Sequence, residues 1–150
     1  MIDREWKPNL TVAALIERDG RFLMVEEHTP EGLRLNQPAG HLEPGESLLE
    51  DSVRETLEEA AHRFVPEYLV GIYQWTWAHS GITYLRFAYG GRSTGEELGR
   101  ALDEGIVRTL WMSVDALRAS VERHRSPLVL QCVEDWLAGQ RYPLALVHHS

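Results

Sequence analysis

Residues 40–62 read GHLEPGESLLEDSVRETLEEAAH, and the fold is decided by this stretch. Residues 38–45 contain two prolines and two glycines, which favour irregular structure, and Ser47 is a typical helix N-cap residue. Apolar side chains then recur at helical spacing, at Leu49, Val53, Leu57, Ala60 and Phe64. The stretch therefore predicts a loop followed by a helix over residues 48–64 that buries this apolar stripe.

Three glutamates share another face of the predicted helix. Glu55, Glu58 and Glu59 stand at positions i, i+3 and i+4, roughly opposite the apolar stripe. Carboxylates this close repel one another, and oxygen-rich clusters of this kind suit hard divalent cations such as Mg²⁺ or Mn²⁺. On the helix alone, a solvated acidic face explains the cluster as well as a metal site does.

The loop and helix together resemble the signature of the Nudix hydrolase family, G-x5-E-x7-R-E-U-x-E-E-x-G-U, in which U is aliphatic. The charged and glycine positions through the second glutamate pair all match, at Gly40, Glu46, Arg54, Glu55, Glu58 and Glu59. Three other positions depart from the signature: Thr56 and His62 replace aliphatic residues, and Ala61 replaces the closing glycine. Because a glycine would help to end the helix, we expect the alanine to let it continue to Phe64.

The resemblance implies roles for the matching residues. Glu55, Glu58 and Glu59 would hold the divalent metal, with the backbone carbonyl of Ala39 as a further ligand. Around these ligands, Glu46 and Arg54 would pair and fix the loop, which begins at Gly40, on the helix. A later carboxylate is expected to join the site; we choose Glu104 over its neighbours Asp103, Glu96 and Glu97. Either Glu55 or Glu104 would take the proton of the attacking water.

The remaining sequence predicts strands and two further helices. Asp19-Gly20 separates strand-like residues 10–16 and 22–25, and residues 78–81 separate 69–77 from 82–89, so we expect two hairpins. Residues 28–35 and 93–105 are interpreted as loops and 107–112 as a short strand. Helices are expected to begin at Ser113 and at Ser126-Pro127, the latter reaching about Leu137. This order predicts an α/β (α+β) fold, a Nudix-type α/β/α sandwich with a mixed β-sheet, as one domain over residues 1–150.

Segments outside the signature are similar to the NudJ-type phosphatases of the family, namely residues 36–42, 73–75, 85–87, 125–129 and 139–144. This resemblance implies removal of a terminal phosphate from the thiamine pyrimidine pyrophosphate or from nucleoside di- and triphosphates. Candidate substrate contacts are Arg86, Arg125, Arg141, Gln74 and His41, with the C-terminal segment folding over the site. For each arginine an ordinary surface ion pair is an equal alternative, and Trp75 and Trp77 face away from Gln74.

Two other functions remain open at this point. One is a Nudix pyrophosphatase acting on a nucleotide sugar or a dinucleotide, which differs from the phosphatase in its products. The other is a Nudix-fold module that binds a nucleotide without catalysis. The non-catalytic module is disfavoured because all three glutamates of the signature helix, Glu55, Glu58 and Glu59, are present.

Composition limits the partners. The net charge is −8, from 23 acidic and 15 basic side chains, which disfavours binding to nucleic acid but not to a small phosphorylated substrate. No apolar run approaches the length of a membrane span. The single cysteine, Cys132, cannot form an internal disulfide, so we predict a cytoplasmic protein; because it lies among apolar residues, we expect it in the core. We read His28, His124, His148 and His149 as surface residues, and the oligomeric state stays open.

Overall fold

The computed structural model describes residues 4–150. In this part of the chain the strands are β1 Asn9–Arg18, β2 Arg21–Thr29, β3 Gly32–Asn36, β4 Ala39–His41, β5 His62–Thr76, β6 Thr83–Glu96 and β7 Ile106–Ser113. The helices are α1 Leu48–Ala60, α2 Val114–Ala119 and α3 Leu128–Leu137, with short 3₁₀ turns at Val121–Arg123 and Leu144–Leu146. Within residues 4–150, no helix is long and apolar enough to cross a membrane.

The strands form one mixed sheet. Its main order is β3-β2-β1-β6-β5, while β4 pairs with β1 and β7 pairs with β2. The β1–β6 pair is parallel, whereas the other pairs are antiparallel. Strand β1 is central because it pairs with β2, β4 and β6, and it therefore brings the loop before α1 close to β6.

Apolar side chains cover both faces of the sheet. Along β1, Val12, Ala14 and Ile16 point to one core and Leu15 to the other, as strand alternation requires. Helix α1 contributes Ala60 to the first core, and α3 contributes Val129, Cys132 and Val133 to the second. The predicted mixed sheet between helical layers is confirmed, and Cys132 is a core residue as expected.

Helix α1 begins where the sequence predicts and ends earlier. Ser47 accepts a hydrogen bond from the backbone N–H of Glu50, and the Glu50 side chain accepts one from the backbone N–H of Ser47, which completes a capping box. The helix ends at Ala60 because Ala61 adopts a left-handed conformation with φ 58°, and β5 starts at His62. The prediction that alanine would let the helix run to Phe64 is wrong.

The buried face of α1 also differs from the predicted stripe. Ser52, Thr56 and Ala60 are buried, whereas Val53 is 38% exposed. The Thr56 hydroxyl donates to the Ser52 carbonyl (2.7 Å), so a polar residue is accepted at this buried position. The helix is therefore rotated relative to our expectation, and this rotation turns Glu55 inward as well.

The strands are longer than the sequence suggests. Residues 28–35, predicted to be a loop, instead form the end of β2, a tight turn and β3. Strand β5 begins at His62, directly after the end of α1. Strand β6 continues to Glu96, so the loop predicted over residues 93–105 is shorter and starts after Glu96. Both predicted hairpins are present, and the first turns at Asp19 and Gly20, which have φ 52° and 80°.

Candidate active site

The loop between β4 and α1 lies directly against the helix glutamates. A Cβ atom on Gly40 would come within 2.0 Å of the Glu55 carboxyl carbon. Glycine here lets the loop backbone approach the carboxylate closely, and a larger residue would displace the Glu55 side chain. The neighbouring Ala39 pairs with Ala13 of β1, which holds this short strand in the sheet.

Arg54 lies at the centre of the acidic groups. Its guanidinium donates to Glu46 through Nε (2.7 Å) and Nη2 (3.0 Å), so the expected pair is present and bidentate. Nη1 also donates to Glu55 (2.9 Å) and Glu58 (3.1 Å), and Nη2 donates to the His41 carbonyl (3.2 Å). Arg54 thus ties the loop to α1 and partly neutralises the carboxylates.

Three carboxylates converge in a geometry that suits a cation. Oxygens of Glu55, Glu58 and Asp103 lie within 4.8 Å of one another. The backbone N–H of Asp103 donates to the Glu58 carbonyl (3.0 Å), which brings the late loop to the helix end. Glu104, which was chosen from the sequence, is outside this group. The carboxylate that the loop after β6 contributes to the cluster is instead its neighbour Asp103.

Glu59, which the resemblance implies as a metal ligand, is outside this group of three. Its Oε1 accepts a hydrogen bond from the Ala39 backbone N–H (2.9 Å), and this bond is its one hydrogen bond to residues 4–150. Burial raises the pKa of Glu59 to about 8, with Glu27 and Glu55 adding to the effect. Burial likewise raises the pKa of Glu55 to about 7, against the opposing effect of Arg54.

A third perturbed carboxyl lies one turn before Glu55. Asp51 is fully buried, its Oδ2 is without a hydrogen-bond partner in residues 4–150, and burial and Glu55 raise its pKa to about 7. Carboxyl groups in this environment resist ionisation unless a positive charge lies beside them. The oxygen donors, their spacing and their excess negative charge therefore fit a divalent metal ion.

A cavity of about 770 Å³ lies beside these carboxylates. Glu55 and Glu59 line it together with Ala39, Gly40 and His41. The volume lies in the usual range for small-molecule sites. The β4–α1 loop and helix α1 therefore form one wall of a ligand-sized cavity.

Arg86 lines the same cavity and is only 5% exposed. Its guanidinium donates to Gln37 Oε1 (2.8 Å) and to Asn36 Oδ1 (2.8 Å), and Gln37 in turn donates to the Val129 carbonyl. Within residues 4–150 no carboxylate lies within 4.0 Å of it, so its charge is held by neutral amides. A buried cation without a counter-ion is a favourable place for an anionic ligand.

The segment that follows α2 forms another wall. Arg125 donates to Glu27 (3.2 Å), and its backbone N–H donates to the Leu35 carbonyl (2.8 Å). His124, expected at the surface, is instead 7% exposed, because it packs beside Leu35. Burial lowers the pKa of His124, and its Nδ1 is without a partner in residues 4–150.

Two predicted substrate residues do not reach the cavity. Gln74 is exposed on the opposite face of β5, and Trp75, Trp77 and Tyr84 line the cavity in its place. Strand alternation already indicated this, since Gln74 and Trp75 must point to opposite faces. The structure therefore corrects the choice of Gln74.

Arg141 is the second correction. Its guanidinium lies 4.5 Å from the Tyr68 ring centroid and 4.7 Å from that of Trp136. Two backbone hydrogen bonds between Tyr142 and Leu69 (both 2.8 Å) hold this segment against β5. Of the C-terminal segment predicted to fold over the site, residues 125–127 line the cavity, whereas residues 140–142 pack on β5 and α3 and do not reach it.

Comparison with known proteins decides the family. The NUDIX domain model matches residues 7–132, most of the chain. The chain belongs to the Nudix family. The carboxylates, Arg54 and the loop glycine are all in place, so this Nudix hydrolase retains the charged and glycine residues of the signature from Gly40 to Glu59.

The chain is also similar to individual members of the Nudix family. The hydrolase is 34% identical over 142 residues to Phosphatase NudJ of Escherichia coli strain K12, covering 95% of the chain and 92% of the relative. It superposes on a NUDIX hydrolase from Nitrosomonas europaea with a TM-score of 0.92 and 54% identity, covering 96% and 98% of the two chains. A MutT NUDIX hydrolase from Burkholderia pseudomallei, at 21% identity and TM-score 0.74, shares the fold.

Proposed function

We propose that this Nudix hydrolase is a Mg²⁺-dependent phosphatase that removes the terminal phosphate from a pyrophosphorylated small molecule. The substrates we propose are the thiamine pyrimidine pyrophosphate and nucleoside di- and triphosphates. One observation carries the proposal: Glu55 of the carboxylate group, its neighbour Glu59 and the uncompensated Arg86 line one cavity. Similarity to Phosphatase NudJ over nearly the whole chain supports the phosphatase type. We further propose that residues 1–150 act as one domain in the cytoplasm.

The residues divide into a metal-holding group and a substrate-binding group. Glu55, Glu58 and Asp103 would hold the metal ion, with the Ala39 carbonyl as a further oxygen donor. When bound, Mg²⁺ (or Mn²⁺) neutralises phosphate charge and makes a water more acidic. Arg86 and Arg125 bind phosphate oxygens, because a guanidinium matches them with paired donors.

The proposed reaction is direct attack by water. The water oxygen forms a bond to the terminal phosphorus while the bond between that phosphorus and the bridging oxygen breaks. Glu59 accepts the water proton at Oε2, since Oε1 is already held by Ala39. Orthophosphate leaves together with the shortened phosphate ester, and no covalent enzyme intermediate is needed.

A comparison of adjacent acidic residues tests the metal assignment. Asp103→Asn should weaken Mg²⁺ binding and lower kcat/KM by about a hundredfold or more, because one of the ligand oxygens loses its charge. Glu104→Gln should change neither quantity by more than about twofold, and EDTA should abolish turnover of the unmodified enzyme. Equal losses in both variants, or turnover that survives EDTA, would refute the assignment.

A further inference from the structure

Three large aromatic side chains line the cavity without belonging to either core. Trp75, Trp77 and Tyr84 are each partly exposed, and neither hydrophobic cluster includes them. The rings of Trp75 and Tyr84 are cross-strand neighbours, with centroids 6.1 Å apart and planes inclined by 23°. Aromatic surface that remains open within a cavity is typical of a ligand-binding surface.

Strand register orders this aromatic wall relative to the charged residues. Arg86 follows Tyr84 by two residues on the same face of β6, a separation of about 7 Å. Arg86 is paired with Thr11 of β1, and Thr11 is paired with His41 of β4. Because neighbouring strands are roughly 5 Å apart, the Cα atoms of Arg86 and His41 are about 10 Å apart. The cavity surface thus runs from aromatic rings, past a buried cation, to the carboxylates.

We infer that the cavity selects a planar aromatic ring that carries a short phosphoanhydride chain, with the ring bound on Trp75 and Tyr84. The phosphate nearest the ring lies at Arg86, and the terminal phosphate reaches Glu55 and Glu59 on the opposite wall. This assignment rests on the proposed function for the placement of the phosphates only. A nucleobase and a free pyrimidine share the required ring chemistry.

The charges along the cavity agree with a ring site at Trp75 and Tyr84 and a phosphate site at Arg86. Arg86 already holds Asn36 and Gln37 and has no anion among the described residues, so it is suited to a phosphate. The Trp75–Tyr84 pair presents a flat surface and no charge, so it is suited to a ring. Loss of one stacking residue commonly weakens binding of a base by about tenfold or more.

Equilibrium binding with Mg²⁺ present separates recognition of the ring from recognition of the phosphates. The probes are β,γ-imido-ATP, which carries a ring, and inorganic tripolyphosphate, which carries none. Trp75→Ala should weaken the nucleotide analogue by about tenfold and tripolyphosphate by less than about twofold. Trp75→Phe should restore most of the affinity. The matched control is Ile72→Ala, which removes an exposed apolar side chain on the opposite face of β5 and should change neither.

Equal weakening of both probes by Trp75→Ala, or no weakening of either, would overturn the inference. Melting curves of the three variants confirm that each is folded. Competition by AMP and by hydroxymethylpyrimidine monophosphate shows which ring the wall prefers. Binding does not depend on the bond that is cleaved, so a failure of the proposed phosphatase reaction would leave this result intact.

Discussion

Arg86 is a buried charge whose partners are uncharged. The amides of Asn36 and Gln37 each accept one hydrogen bond from its guanidinium in the free protein, but they do not neutralise it. Groups arranged in this way contribute to ligand binding more than to folding, because burying a charge without a counter-ion costs free energy. Its effects on affinity and on stability should therefore separate.

We expect Arg86→Gln to weaken substrate capture while leaving the fold nearly as stable. Loss of charge-assisted hydrogen bonds to phosphate should raise KM by about tenfold to a hundredfold. The free energy of unfolding should change by less than about 1 kcal/mol, since relief of charge burial offsets one lost amide hydrogen bond. Steady-state kinetics and urea unfolding measure the two effects. A large loss of stability with unchanged KM would make Arg86 a structural residue.

His62 gives the fold a defined dependence on pH. Its Nδ1 lies 2.8 Å from Ser93 Oγ and its ring packs edge-on against Trp111. Burial lowers the pKa of His62 below its ordinary value of 6.5, with Arg18 and Arg63 in the same direction and Glu96 opposing. The folded protein therefore binds fewer protons than the unfolded one, and stability falls as the pH drops through 6.5.

A difference measurement isolates this effect from the active-site carboxyls. Urea unfolding at about pH 7.5 and about pH 5.5, with EDTA throughout, should show a larger acid-induced loss of stability in the unmodified protein than in His62→Asn. The subtraction removes the carboxyl contribution, which is common to both proteins. An identical pH dependence in the two proteins would contradict the assignment to His62.

At the scale of elements, Arg54 joins the β4–α1 loop to the helix. It contacts Glu46, Glu55 and Glu58, and its removal would leave these carboxylates facing one another. Arg54→Ala should lower the free energy of unfolding by about 3 kcal/mol. Arg100→Ala, which breaks an exposed pair with Glu97, is the control and should cost less than about 1 kcal/mol. Unchanged stability with lost activity would instead make Arg54 a direct substrate ligand.

The end of α1 makes a second prediction at this scale. Ala61 is held at φ 58° while its carbonyl accepts from Glu97, so glycine should relieve strain. Ala61→Gly should raise the free energy of unfolding by roughly 0.5–1 kcal/mol. Ala60→Gly, one residue earlier and still helical, should lower it by a similar amount. Chemical denaturation measures the free energy of unfolding of both variants. Changes of the same sign in the two variants would contradict this explanation of the helix end.

Local sequence patterns predicted the elements better than their ends. The capping box at Ser47 and the Asp19-Gly20 turn depend on neighbouring residues, and both predictions were right. The end of α1 depends on the pairing of β5 with β6, which forces the chain to reverse at Ala61 despite its alanine. The β2–β3 hairpin was missed because Pro30 and Gly32 indicate a break but not the strand pairing on either side.

At the scale of the whole molecule, the site is assembled from distant parts of the chain. The residues of the Nudix signature lie within 23 positions, so their proximity could be predicted from the sequence. Arg86 and its partners Gln37 and Asn36 are 49 and 50 residues apart, and they come into contact because β1 pairs with β6 and β4 and, through β2, with β3. The predictions of Glu104 in place of Asp103 and of Arg141 as a substrate contact failed for the same reason. The position of Asp103 depends on how the loop after β6 closes on α1, and that of Arg141 depends on its packing against β5 and α3.

In the proposed reaction, water attacks the terminal phosphorus in the cavity formed by α1, β6 and the segment after α2. Hydrolysis of a nucleoside triphosphate with Mg²⁺ in ¹⁸O-labelled water, followed by ³¹P NMR, tests it most directly because the isotope shift marks the phosphorus that was attacked. We predict labelled orthophosphate and unlabelled nucleoside diphosphate as the first products. Unlabelled orthophosphate, or pyrophosphate released with the monophosphate in a single step, would contradict the phosphatase account.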